Sequence, residues 1–126
     1  MPAPETLRGR RVVADPAAIA TGWFPPAVVL IRIAPDEVLA VGEGSIELSD
    51  DHAVVEEDSG WCALRLDEDA ALAILAAHAA WEPGPARPTL AQGMLAGLAA
   101  KVYLDGPRSM LIVAAPFAAE LEARLV

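Results

Sequence analysis

The densest run of groups able to do chemistry lies between Glu43 and Asp69, where ten carboxylates share the chain with one base, Arg65. Asp50, Asp51, His52, Glu56, Glu57 and Asp58 are ligand types for a divalent cation, which needs several oxygens converging at about 2.0–2.6 Å. Their spacing matches no calcium loop, and no helical His-Glu pair of the zinc-protease type is present. The residue types favour a solvated acidic face, because ionised side chains stay in water unless paired. His52 with Asp50, Asp51 or Glu56 is the one arrangement that offers an acid–base pair. His78 has only alanines beside it and reads as a packed or capping residue at a helix end. Cys62, the single cysteine, forms no internal disulfide and no multi-cysteine zinc site. Between Trp61 and Ala63 it reads as a small buried hydrophobe. Gly42-Glu43-Gly44 lacks the third glycine of a dinucleotide loop. Gly93 and Gly97 read as strand irregularity or close backbone approach. No residue is assigned a catalytic, cofactor-binding or metal-binding role on these grounds.

Aromatic residues are the more informative set. They make up 5% of the chain, and three of them are tryptophans. Trp23 with Phe24, Trp61 and Trp81 each stand at an edge: a proline-rich segment, a strand start, a helix end. Tryptophan is enriched where interfaces are held together. These four residues are the candidate partner interface, with rim-of-core packing as the alternative.

The elements that must position them follow from pattern. The chain has 126 residues, enough for one domain with a real core. Residues 1–26 read as an N-terminal arm, mobile up to Arg11, with a short helix from Asp15-Pro16 to Gly22. Residues 27–126 read as a single α+β domain. Within it, Ala27–Ala34 and Val38–Val41 are strands around a Pro35-Asp36 turn. Ile46 and Leu48 mark a brief strand, and Ala53–Val55 another. From Trp61 to Leu66 the residues alternate, with Cys62, Leu64 and Leu66 on one face. A helix is predicted over Glu68–Ala80, with three acids at its start, where the helix dipole favours them. Leu95–Leu104 is predicted as one long strand, Asp105-Gly106 as a hairpin turn, and Met110–Ala114 as the returning strand. Pro116 opens a closing helix carrying Phe117, Leu121 and Leu125. The pattern predicts a split βαβ-type sheet with helices packed on one face.

Charge excludes several classes of partner. Eighteen acids against nine bases give −9, with one lysine, Lys101. Such a chain repels phosphate, so nucleic acid and anionic membrane surfaces are poor partners. No apolar run reaches the ~18–20 residues of a membrane helix. No apolar segment follows Arg8, Arg10 and Arg11, so no signal peptide is read and a cytoplasmic location is expected.

Five stretches, taken in order, resemble the gamma subunits of heterotetrameric sarcosine oxidase. Ile31-Arg32-Ile33-Ala34-Pro35-Asp36-Glu37-Val38-Leu39-Ala40-Val41-Gly42 is similar to the family's strand, Gly-Pro-Asp-Glu, strand element. His52 to Leu66 resembles the aspartate-rich strand end that leads into an alternating Leu-x-Leu strand. Ala70–Ala80 resembles the helix after it. Leu95 to Gly106 is similar to a strand with a late aromatic, here Tyr103, and Pro116–Leu125 resembles the final helix. Asp67-Glu68-Asp69 stands where the family tends to have a Gly-Pro turn, and Gly97 and Ala99 replace bulkier residues or proline. The resemblance implies a fold like the folate-binding domain of the glycine cleavage T-protein. It also implies a non-catalytic accessory subunit of a flavin-dependent amine oxidase, with FAD, FMN and NAD held by larger flavin-bearing partner subunits and none by this chain. A stand-alone module binding folate or an amino acid is the second expectation, and an enzyme built on His52 the third.

Overall fold

The computed structural model describes residues 2–126. In chain order the elements are β1 (Glu5–Thr6), β2 (Gly9–Val13), α1 (Pro16–Thr21), β3 (Val29–Ala34), β4 (Glu37–Val41), β5 (Val54–Asp58), β6 (Trp61–Leu66), α2 (Glu68–His78), β7 (Thr89–Leu95), β8 (Leu98–Leu104), β9 (Ser109–Ala114) and α3 (Ala118–Arg124). Single 3-10 turns at Gly106–Arg108 and Ala115–Phe117 precede β9 and α3. The chain divides into two compact units. One is Arg8–Ser59; the other is the stretch up to Leu7 together with Gly60–Val126. This differs from an arm of 1–26 followed by one domain. Met1 lies outside the described residues.

Arg8–Ser59 is built on a four-stranded antiparallel sheet in the order β3-β4-β2-β5. The segment expected to be mobile supplies an interior strand, since β2 pairs with both β4 and β5. Its charges are accommodated by neighbours. Arg10 donates to the carbonyls of Gly42 and Gly44. Arg11 pairs with Glu37 at 3.1 Å and Glu56 at 3.2 Å. The helix α1 starts as the sequence predicts: the Asp15 carboxylate accepts from the Ala17 N–H at 2.9 Å, and Pro16 opens the first turn. The core here is Val12, Ala14, Ala18, Ile19, Val28, Val38 and Ala40. Ile46 and Leu48 pack against it but form no strand. Only an isolated bridge joins Glu47 to Trp23.

Gly60–Val126 with Glu5–Thr6 forms a five-stranded sheet, order β1-β6-β9-β8-β7, antiparallel throughout. Leu64, Leu111 and Val102 lie side by side in register, and Ala71 and Leu75 of α2 and Leu121 of α3 share their cluster. Both helices therefore pack on one face, as the pattern predicts, and the α+β class holds. β6 and β8 run parallel with β9 between them, as in the split βαβ expectation, but the chain inserts an extra strand before β8. That strand, β7, is separated from β6 by three antiparallel pairings, so it runs opposite to β6 and lies at the far edge. The reason is the connection. The α2 C-terminus stays near the β7–β8 turn, where the Ala96 N–H donates to the His78 carbonyl at 2.9 Å. Residues 79–88 then return alongside α2, and Arg87 donates from Nε to Glu68 in the first turn of α2 at 2.8 Å.

The expected long strand Leu95–Leu104 is instead the end of β7, a two-residue turn and β8. Ala96 and Gly97 have φ of 49° and 81°, the left-handed pair that a tight hairpin needs. Continuous apolar character hid that turn. Phe117, expected in the buried stripe of the last helix, is 45% exposed, because α3 begins one residue later and buries Leu121.

Candidate functional site

A groove of about 880 Å³ opens between α2 and the returning segment, lined by Leu72, Ala76, Ala79, Trp81, Pro83 and Arg87 among others. The helix supplies one wall because Leu75 and Ala71 are turned into the core, which leaves Leu72, Ala76 and Ala79 alongside. Asp67 fixes where that helix starts, accepting from the Ala70 N–H at 2.8 Å.

The opposite wall is pinned at both ends. At one end the Trp81 indole donates to the Met94 carbonyl at 2.9 Å. Its ring lies over Gly93, where a Cβ would come within 2.4 Å of the indole. Only glycine allows this approach. At the other end Arg87 donates to Glu68 and to the carbonyls of Gly84 and Ala86 at 2.6 and 2.8 Å. Glu68 also accepts from the Gly106 N–H at 3.4 Å. The neighbouring loop is braced in turn. The Ser109 hydroxyl donates to Gly106 O at 2.8 Å and accepts from the Asp105 N–H at 3.0 Å. The Tyr103 hydroxyl donates to the Asp105 carboxylate at 3.2 Å. Burial, and next the Asp105 charge, push the Tyr103 phenol above its ordinary range.

Chemically the groove offers aliphatic surface, one indole, the Glu82 carboxylate, and a guanidinium already engaged by a carboxylate and two carbonyls. It can hold a flat or branched apolar group. The sequence pointed to Trp81 through its place at a helix end. It missed Arg87 and Glu68, which lie nineteen positions apart. Pro83-Gly84-Pro85 was the only local sign that the segment is an extended wall rather than a turn.

Trp61, in the same unit, does not converge with Trp81. Trp61 begins β6 on the same face as Ala63 and Ile112, and Lys101 Nζ lies 5.5 Å from its ring centroid. That is the sheet face opposite to the helices, whereas Trp81 is on the helix side. Trp23 and Phe24 belong to Arg8–Ser59. Trp23 is 51% exposed, and its backbone exchanges hydrogen bonds with Glu47 at 2.8 and 3.0 Å. Phe24 is half-buried against the core of that unit.

In the acidic segment, Asp50 acts as a brace. Its carboxylate accepts from the Asp15 N–H at 2.8 Å and the His52 N–H at 2.9 Å. These bonds, the first above all, hold the Asp50 carboxyl below its ordinary range. Among the described residues no three His, Cys, Asp or Glu side chains are grouped to hold a metal ion. Cys62 is buried, with Sγ 3.9 Å from Thr6 Oγ1. Among those residues no helix is long and apolar enough to cross a membrane. Compared with protein-family models, curated proteins and solved structures, the chain matches none.

Proposed function

We propose that this chain is a non-catalytic, gamma-type accessory subunit of a flavin-dependent amine oxidase acting on sarcosine or a similar N-methylated amino acid. In this reading its fold is of the T-protein folate-binding-domain type, it works in the cytoplasm, and the flavins and the nicotinamide cofactor belong to larger partner subunits. One observation supports the reading: the stretches that resemble the family fall on successive strands and helices of this chain. The first is the β3–β4 hairpin around Pro35-Asp36; β5 with β6, α2, the end of β7 with β8 and Tyr103, and α3 follow. Purification of the tagged chain from its host tests it. The expected product is a yellow complex with larger subunits that oxidises an N-methylated amino acid. A colourless chain recovered alone from every preparation overturns it.

A second reading, a small-ligand module, is favoured by the groove between α2 and residues 79–88. In that case an amino acid or folate should quench the fluorescence of Trp81 and raise the melting temperature. A Trp81→Phe variant would keep the melting shift and lose most of the quenching. No shift across such a panel removes this reading.

A further inference from the structure

The groove between α2 and residues 79–88 carries charge of one sign that nothing in the protein compensates. Two ionisable side chains line it, Glu82 and Arg87. Arg87 is already spent. Its Nε donates to the Glu68 carboxylate at 2.8 Å, and its Nη1 donates to the carbonyls of Gly84 and Ala86. Glu68 thus matches its charge. Glu82 is exposed and, among the described residues, has neither an ion-pair nor a hydrogen-bond partner.

Two further features give the groove the same sign. It runs past the C-terminal end of α2, since Ala76 and Ala79 line it and Ala79 is the C-cap. The carbonyls at that end form the negative pole of the helix dipole, which favours a cation. His78, in the last turn of α2, is not among the lining residues. Trp81 adds its ring. The indole N–H is already given to the Met94 carbonyl at 2.9 Å, so a ligand meets carbon and π surface rather than a donor. The π surface of an indole attracts cations through its quadrupole. Leu72, Pro83 and Pro85 add aliphatic surface.

We propose that this groove binds an organic cation with an apolar body: an ammonium group, free or methylated, on an aromatic or branched aliphatic frame. The frame lies against the aliphatic walls, and the ammonium is drawn to Trp81, Glu82 and the end of α2. A volume of about 880 Å³ suits a small organic ligand. An anion is disfavoured, because the one uncompensated charge in the groove and the net charge of −9 both repel it. The inference takes from the small-ligand reading only the groove as a binding site, and it is independent of the accessory-subunit reading.

Heteronuclear NMR titration of the full chain tests it, with four ligands that share one aryl body: phenethylammonium, phenethyl alcohol, hydrocinnamate and phenylalanine. The expected shifts are confined to the Trp81 indole, α2 and residues 79–87. The cation should bind roughly ten times more tightly than the alcohol, and hydrocinnamate most weakly. Added salt should weaken the cation and leave the alcohol little changed. Glu82→Gln, at an exposed position, should cut the preference for the cation several-fold while the alcohol binds as before. Equal binding of cation and alcohol overturns the proposal, as does a preference that survives Glu82→Gln intact or shifts that lie elsewhere. Tighter binding of phenylalanine than of phenethylammonium also overturns it, and leaves the amino-acid reading standing. Binding of none of the four overturns it too, and a folate titration then decides the small-ligand reading by itself.

Discussion

The two units reach stability by different routes. In Gly60–Val126 the core is leucine-rich: Leu64, Leu75, Leu95, Leu98, Leu104, Leu111, Leu121 and Leu125 fill one side of a sheet beneath two helices. In Arg8–Ser59 the core contains three alanines beside Val12, Ile19, Val28 and Val38. Its strands are further tied by polar bonds, from Arg10 to two carbonyls, from Arg11 to two carboxylates, and from Asp50 to two backbone N–H groups. Apolar burial contributes roughly in proportion to area, whereas exposed ion pairs contribute about 0–1 kcal/mol each. The acid-rich unit must therefore depend more on individual polar contacts, and the leucine-rich unit on volume.

That contrast predicts unequal responses to core truncation. Leu111→Ala should cost about 2–5 kcal/mol, through lost transfer energy and a cavity. Val12→Ala, equally buried, removes two carbons and should cost about 2 kcal/mol. Urea denaturation of both variants measures this, and equal losses would break the comparison. The groove wall supplies the next effect. Gly93→Ala drives a methyl into the Trp81 ring and should cost about 1–3 kcal/mol. In a Trp81→Ala background the same change should cost much less, a coupling that a double-mutant cycle reads directly.

Helix caps compare the units on equal terms. Asp67→Ala and Asp15→Ala each remove a side-chain acceptor from a helix N-terminus and should each cost about 0.5–2 kcal/mol. A null effect at Asp15 would show that Pro16 alone sets the start of α1. The smallest effects concern pH and lie at opposite ends of the scale. The folded-state pKa of Asp50 is lowered, so its contribution is complete above the ordinary carboxylate value and disappears as pH falls through the folded value. Asp50→Asn should flatten the acid limb of the stability profile. The folded-state pKa of Tyr103 is raised, so its contribution is complete below the ordinary phenol value of about 10 and disappears as pH rises through the folded value. Tyr103→Phe should flatten the alkaline limb only.

Legibility differed between the units in the same way. In Gly60–Val126 strong periodicity made β6, α2, β9 and the Leu121–Leu125 face of the last helix readable, because one-sided burial writes itself into spacing. The break at Ala96-Gly97 was not readable, since both sides of the turn are apolar. In Arg8–Ser59, β3 and β4 were plain around Pro35-Asp36. β2 was not, because its arginines find partners only in strands distant in sequence. Trp81 could be singled out by type; its seat on Gly93 could not.

By itself the sequence determined the α+β class, the capped start of α1, the acidic start of α2, and the net negative charge. Each follows from local propensity, capping chemistry or formal charge, which need no knowledge of distant neighbours. Only the tertiary structure decided that residues 79–88 run back along α2, that β7 lies at a sheet edge, and that Arg87 is held by Glu68. Those are long-range pairings. They are chosen by which apolar faces can be buried together and which polar groups can then be satisfied, and no single stretch of chain carries that information.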